Sequence, residues 1–162
     1  KEIVIVSPDA GGASRARSLA KFVNAPIAII DKRRPEPNVA EVQNVIGDVK
    51  GKVAFIVDDL VDTAGSITEA ASILKKFDAK EVYAIATHGV LTGPAIDRIA
   101  KSELKELIIT NTIDHSNKKI TDKIRVISIG PLLAEAIRRS HEGLPMGVVY
   151  ENMYKKLEKK LR

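Results

Sequence analysis

The stretch VAFIVDDLVDTAGSITEAASILKKF, residues 53–77, decides the fold. Its first part, VAFIVD, is a short apolar run that reads as a strand over 53–58, and Ser66 to Phe77 carries a helical pattern. Between them a turn of small and hydroxyl residues, Thr63, Ala64, Gly65 and Ser66, opens the helix. Successive backbone N–H groups in such a turn can point at one anion, and the helix adds its own free N–H groups and dipole. Thr63, Ser66 and Thr68 offer hydroxyl donors. Yet Asp58, Asp59 and Asp62 stand directly ahead of this anion cradle, and carboxylates only accept hydrogen bonds. A ligand with a phosphate at one end and vicinal hydroxyls at the other reconciles the two. The turn takes the phosphate, and Asp58 and Asp59 take the hydroxyls or a Mg²⁺ bound to them. A sugar phosphate has that form.

The same alternation runs along the chain. Strands are predicted at 2–7, 27–31, 53–58, 82–87, 106–110 and 124–129, with helices at 14–24, 66–77, 93–100 and 131–140. Apolar strands without a polar alternation belong in a sheet covered on both faces. Strand and helix in turn mean βαβ units, so the predicted fold is α/β, a doubly wound, mostly parallel sheet flanked by helices. Ligands of such sheets bind beyond the carboxyl ends of the strands. The segments there are SPDAGGASRAR (7–17), DKRRPEPN (31–38), DDLVDTAGS (58–66) and THGVLTGPA (87–95), all of them polar. Residues 32–51 read as a flexible loop ahead of a short helix over 39–46. In the tail, Val149, Met153, Leu157 and Leu161 recur every four residues, the mark of an amphipathic helix docking on its own core or on a sister subunit. The expected division is a ligand-binding domain over 1–145 and this helix over 146–162.

Composition narrows the classes. The 162 residues are 44% hydrophobic and 29% charged, with a net charge of +5 and only 4% aromatic. A nucleic-acid binder would pair a basic stripe with stacking aromatics, so no nucleic-acid partner is expected. The chain has no cysteine, which excludes disulfides and thiolate metal sites and suits a cytoplasmic enzyme. No apolar run reaches membrane-spanning length and no signal-peptide pattern is seen, so no membrane association is expected. The three histidines lack metal-ligand spacing.

VDDLVDTAGS (57–66) resembles the phosphoribosyl-diphosphate (PRPP) binding motif of type I phosphoribosyltransferase-fold proteins. Taken with VSPDAGGASRAR, DKRRPEPNVAEVQNVIGDVKGK, ATHGVLTGPA, TNTI and LLAEAIRRSHEG in this order, the chain resembles the C-terminal domain of the ribose-phosphate pyrophosphokinase family, from Val4 to Gly143. The resemblance implies transfer of the β,γ-diphosphoryl group of ATP to the 1-hydroxyl of ribose 5-phosphate, giving PRPP and AMP. It also implies Mg²⁺, a homo-oligomer, and an N-terminal domain supplying most adenine contacts.

By that resemblance Asp62, Thr63, Ala64, Gly65 and Ser66 bind the 5-phosphate, with Ser66 where the family usually has Thr. Asp58 and Asp59 hold the ribose hydroxyls, directly or through Mg²⁺, and Asp9 matches the magnesium-site aspartate. Lys32 and Arg34 match the cationic pair of the catalytic loop, and Thr87, His88 and Gly89 match the loop lining the diphosphate region. A bidentate guanidinium and a point-charge ammonium suit a migrating diphosphate. Glu36, the Asp114–His115 pair and the tail after Gly143 depart from the family pattern. Two other functions share the motif: a stand-alone phosphoribosyltransferase, and a non-catalytic regulatory form or fragment of the fold. The isolated chain is expected to bind ribose phosphate and to turn over ATP very poorly.

Overall fold

The computed structural model describes residues 2–33, 42–151 and 155, and at 32, 33, 42 and 43 only the backbone. The chain divides into two compact units, Lys1–Ile127 and Ser128–Arg162.

The first unit is built on seven strands: β1 (Ile3–Ser7), β2 (Ile27–Arg33), β3 (Val42–Ile46), β4 (Val53–Val61), β5 (Glu81–Gly89), β6 (Glu106–Thr110) and β7 (Ile124–Ile127). They lie in the order β3-β2-β1-β4-β5-β6-β7. Every neighbouring pair is parallel except β2 with β3. The helices between the strands are α1 (Ala13–Val23), α2 (Gly65–Lys76) and α3 (Ala95–Lys101).

Alternate strand residues feed different layers, as the pleat requires. On one face Val4, Val6, Ala54, Ile56, Val82, Ala84, Leu107 and Ile109 pack with Ile67, Ala70, Ile73 and Leu74 of α2 and Ala95 and Ile99 of α3. On the other, Ile5, Val57 and partly buried Phe55 meet Ala16 and Ala20 of α1. A sheet clothed on both faces explains the unbroken apolar runs, and the doubly wound, mostly parallel arrangement is the one expected. Helix α1 stops where Asn24 turns left-handed (φ 52°) and its N–H reaches back to the Ala20 and Lys21 carbonyls.

Three elements differ from expectation. Val42–Ile46 is a strand, not part of a helix: it runs antiparallel to β2 with Ile29 opposite Ile46 and Asp31 opposite Asn44. Val39, Val42 and Ile46 are spaced like a helical stripe, but the open edge of β2 captures this β-branched segment, burying Val45 and exposing Ile46. That strand narrows the expected loop over 32–51, because Lys32 and Arg33 also belong to β2. Strand β4 continues past 58 to Val61 and β5 runs to Gly89, so Asp58, Asp59, Thr87 and His88 stand on strand ends. Residues 34–41 lie outside the described residues.

The second unit contains α4 (Gly130–His141), with Pro131 in its first turn, and helical residues at 147–151. Glu135 pairs with Arg138 (2.9 Å) and Arg139 (2.6 Å) within α4. Val149, on the expected apolar stripe of the tail, is buried. Met153, Leu157 and Leu161 lie outside the described residues. No helix among the described residues is long and apolar enough to cross a membrane.

Candidate functional site

Strand order reverses between β1 and β4: the chain adds β2 and β3 on one side of β1, then β4 to β7 on the other. The crevice beyond the carboxyl ends of β1 and β4 is therefore the topological switch point, where open α/β sheets bind ligands. Two segments meet there, 7–15 after β1 and 58–66 at the end of β4. An open cavity of about 160 Å³ is lined by Asp58, Leu60, Val61 and the run from Asp62 to Ile67.

The turn is shaped by Ala64, not by glycine. Ala64 takes the left-handed conformation (φ 60°, ψ 11°) at the N-cap of α2 with its methyl buried. A non-glycine residue there is strained and needs surrounding structure to hold it. No side chain caps α2, and Gly65, Ser66 and Ile67 of its first turn line the cavity, so their N–H groups are unclaimed by a capping side chain. A methyl group added at Gly65 would make only ordinary contacts, at 3.6 Å from Arg98 Nη1 and 3.8 Å from Thr63 Oγ1. The Thr68 hydroxyl donates into the helix, to the carbonyls of Ala64 (2.8 Å) and Gly65 (3.1 Å), and so is not the extra anion donor expected of it.

Asp62 is turned to a neighbouring loop. It accepts a short hydrogen bond from the Thr92 hydroxyl, and its carbonyl accepts from Thr92 N at 3.1 Å. The carbonyl of Val61 takes the N–H groups of both Val90 (2.9 Å) and Leu91 (3.1 Å). Lys118 closes the far side, donating to the carbonyls of Val90 (2.6 Å) and Leu91 (3.0 Å). On the helix side, Arg98 Nη1 donates to the carbonyl of Thr63 at 3.0 Å. The turn that opens α2 is thus clamped by residues 90–92 and by α3.

The acidic pair sits on the β1 side of the turn. Arg15 of α1 bridges it, with Nη1 3.0 Å from Asp58 Oδ1 and Nη2 2.7 Å from Asp59 Oδ2. Asp58 Oδ1 also accepts the N–H of Asp59 at 2.9 Å. Burial pushes the Asp58 carboxyl above the usual carboxylate range, and the neighbouring Asp59 charge adds to the rise. Asp59, exposed, is held below that range by its hydrogen bond to Asp58 and by the Arg15 charge.

The loop after β1 carries Asp9. Its Oδ1 accepts the N–H of Gly12 at 2.8 Å and so organises the entry to α1. Ser7, fully buried, donates to the Asp9 carbonyl at 2.6 Å. A Cβ on Gly12 would lie 2.7 Å from Ser7 Oγ, so only glycine fits this close approach.

Thr87, His88 and Gly89 end β5, with His88 opposite Leu60 and Gly89 opposite Val61. The Thr87 carbonyl accepts the hydroxyls of Thr110 (2.7 Å) and Thr112 (3.2 Å), and His88 Nδ1 lies 2.9 Å from Thr112 Oγ1. Gly89 has a packing cause, since a Cβ there would stand 2.5 Å from Ile109 Cδ1. Asp114 accepts from the N–H (2.9 Å) and hydroxyl (2.8 Å) of Ser116, which sets the shape of the loop that departs from the family pattern. Lys32 is placed by its backbone alone, on β2 opposite Gln43, and Arg34 lies outside the described residues.

Arg15, Thr92, Arg98 and Lys118 are the residues that sequence reasoning passed over. The first two lie inside the polar segments that follow β1 and β5, and that placement was the available signal. The contacts of Arg98 and Lys118 span 35 and 28 residues, and no local pattern reports them. Among the described residues no three His, Cys, Asp or Glu side chains converge on one point. Two adjacent carboxylates nevertheless match a hard cation such as Mg²⁺, which binds through one or two carboxylates and completes its shell with water and ligand phosphates.

Comparison with known proteins agrees with this arrangement. The family profile described as "Phosphoribosyl synthetase-associated domain" matches residues 34–151. A ribose-phosphate pyrophosphokinase of Clostridium acetobutylicum is 56% identical over 150 residues, 93% of this chain and 47% of that protein. The crystal structure of phosphoribosylpyrophosphate synthetase from Mycobacterium smegmatis superposes with a TM-score of 0.81 at 40% identity, over 88% of this chain and 46% of that one. An orotate phosphoribosyltransferase from Aeropyrum pernix shares the fold at 18% identity, with a TM-score of 0.53 over 83% of this chain and 64% of its own. The chain spans about half the length of the curated relatives it matches. A strand-turn-helix junction beside paired carboxylates at the switch point, with a profile match across most of the sequence, leads to one conclusion: the chain belongs to the phosphoribosyl synthetase-associated domain family.

Proposed function

We propose that this chain forms the ribose-phosphate-binding, C-terminal half of a ribose-phosphate diphosphokinase, which moves the β,γ-diphosphoryl group of ATP to the 1-hydroxyl of ribose 5-phosphate. One observation carries the reading: the uncapped start of α2 and the carboxylate of Asp58 line the same cavity. A phosphate at Gly65, Ser66 and Ile67 would meet N–H donors and the positive end of the helix dipole. The pentose hydroxyls of the same molecule would then fall toward Asp58 and Asp59, which can accept their protons. Asp62, tied to Thr92, fixes the turn between these two ends.

In the reaction the 1-hydroxyl oxygen bonds to the β-phosphorus, the bond from that phosphorus to the AMP oxygen breaks, and the hydroxyl proton is lost. Positioning and charge stabilisation do most of the work in such transfers. Lys32 and Arg34 are the cations assigned to the migrating diphosphate, and Thr87, His88 and Gly89 the strand end beside it. Mg²⁺, held at the aspartates, would supply charge neutralisation on the phosphate oxygens. ATP, PRPP and assembly into a homo-oligomer belong to the same reading, and the adenine contacts fall to the half of the protein that this chain does not include.

Thermal melting tests the assignment. Ribose 5-phosphate with Mg²⁺ should raise the Tm steadily with the logarithm of its concentration, reaching about 2.7 kcal/mol of stabilisation at a hundredfold excess over Kd. Ribose, which lacks the phosphate, should give a much smaller shift. An unchanged Tm with ribose 5-phosphate removes the assignment.

A further inference from the structure

The Arg15 contacts go beyond that reading. Arg15 takes one oxygen of each carboxylate, Asp58 Oδ1 and Asp59 Oδ2, on the pair assigned to the cation or hydroxyls. Its guanidinium spans both carboxylates, a fork that a lysine ammonium cannot reproduce. The three groups come from different elements: Arg15 from α1, and Asp58 and Asp59 from the end of β4, 43 and 44 residues away in sequence. Arg15 is not locked in place. Its side chain is 38% exposed, Asp59 is 64% exposed, and a long arginine stem can swing into solvent.

We infer that Arg15 is a built-in counter-ion for the acidic pair. It holds Asp58 and Asp59 oriented while the site is empty, and the ligand's cation or hydroxyls must displace it to bind. Arg15 is thus a positioning residue that sets ligand affinity from inside the protein. The inference rests on the reading of Asp58 and Asp59 as the pair that takes the pentose hydroxyls or a bound cation.

Two consequences follow from charge and geometry. An internal competitor weakens binding by the stability of the contact it must surrender, and partly exposed ion pairs contribute modestly. Freeing the pair should therefore tighten cation binding by about fivefold. The gain should depend on the bridge itself and not on any nearby positive charge. Arg17, exposed and two residues further along α1, supplies the control.

The test is Mn²⁺ binding to the full chain, read from the electron paramagnetic resonance of the free ion, for wild type, Arg15→Ala, Arg15→Gln and Arg17→Ala. Arg15→Gln keeps a polar stem and guards against misfolding of the alanine variant. Both Arg15 variants are expected to bind Mn²⁺ about fivefold tighter than wild type, with Arg17→Ala unchanged. Binding by the Arg15 variants that is equal, weaker or undetectable overturns the inference. So does an equal gain in Arg17→Ala. The melting shift of wild type with ribose 5-phosphate and Mg²⁺, measured on the same samples, separates the two failures. A wild type that ignores the sugar phosphate defeats the proposed function, whereas one that responds, beside Arg15 variants with no gain for Mn²⁺, defeats only the counter-ion role.

Discussion

The guanidinium of Arg98 on α3 donates to the backbone carbonyl of Thr63 at 3.0 Å, across 35 residues of sequence. That bond ties the phosphate-type turn to a helix carrying no assigned ligand contact. It also sets a positive charge beneath the turn.

Removing it should loosen the cradle more than the fold. Arg98→Ala is expected to weaken ribose 5-phosphate binding by about five- to tenfold, in line with roughly 1 kcal/mol for one solvent-exposed hydrogen bond. Arg98→Lys should recover part of the loss, because the charge remains. Titration calorimetry on both variants checks this, and equal affinities for wild type and Arg98→Ala would contradict it.

Gly89 offers a prediction about stability. A Cβ there would lie 2.5 Å from Ile109 Cδ1, inside a packed core. Gly89→Ala should destabilise the chain by about 1–3 kcal/mol, the usual range for overpacking. Gly147→Ala, where nothing lies within 4 Å of the added atom, should be close to neutral. Urea unfolding of both variants makes the comparison.

Asp58 joins stability to pH. Its folded carboxyl titrates above the ordinary value of 3.8, mainly because of burial. A carboxyl raised in this way stabilises the fold while protonated, and the contribution is lost as pH rises through its folded pKa. Asp58→Asn should therefore cost less stability at pH 7 than loss of the Arg15 contact alone would suggest, because the desolvated charge goes with it. The same variant should lose binding of ribose 5-phosphate with Mg²⁺. Wild-type affinity should fall as pH drops through the Asp58 pKa, since protons and ligand compete for the pair.

Glu135 behaves in the opposite sense. Its bonds to Arg138 and Arg139 lower its pKa from 4.5 to about 2. A depressed carboxyl contributes stability above its unfolded pKa and loses it as pH falls from about 4.5 toward 2. Carbon-13 Cα shifts over residues 130–141 should report a partial fall in the helicity of α4 in that window. Glu135→Gln should lack the transition and be less helical at neutral pH.

Much of this was legible in sequence. The apolar runs at 2–7, 53–58, 82–87 and 106–110 specify buried parallel strands, and the order of strand and helix specifies the winding. The switch point follows from that order, which is why DDLVDTAGS and SPDAGG arrive at one crevice. Val42–Ile46 was not legible, because its apolar spacing fits a helix and only the edge of β2 makes it a strand. The left-handed Ala64 was hidden beside a glycine that would ordinarily claim the bend. Thr68 resembled a ligand donor, yet its hydroxyl has a nearer acceptor in its own helix. Arg15 stayed unseen because its partners are more than forty residues away, and its place in the polar segment after β1 does not name them.

The first turn of α2 is the proposed seat of the phosphate of a pentose phosphate. Amide resonances of Gly65, Ser66 and Ile67, followed by ¹H–¹⁵N correlation spectra during titration with ribose 5-phosphate and Mg²⁺, test it most directly. Saturable shifts of those three amides and of Asp59 are expected, and ribose alone should not reproduce them. Shifts confined to other parts of the chain, with the three amides unmoved at saturating sugar phosphate, would contradict it.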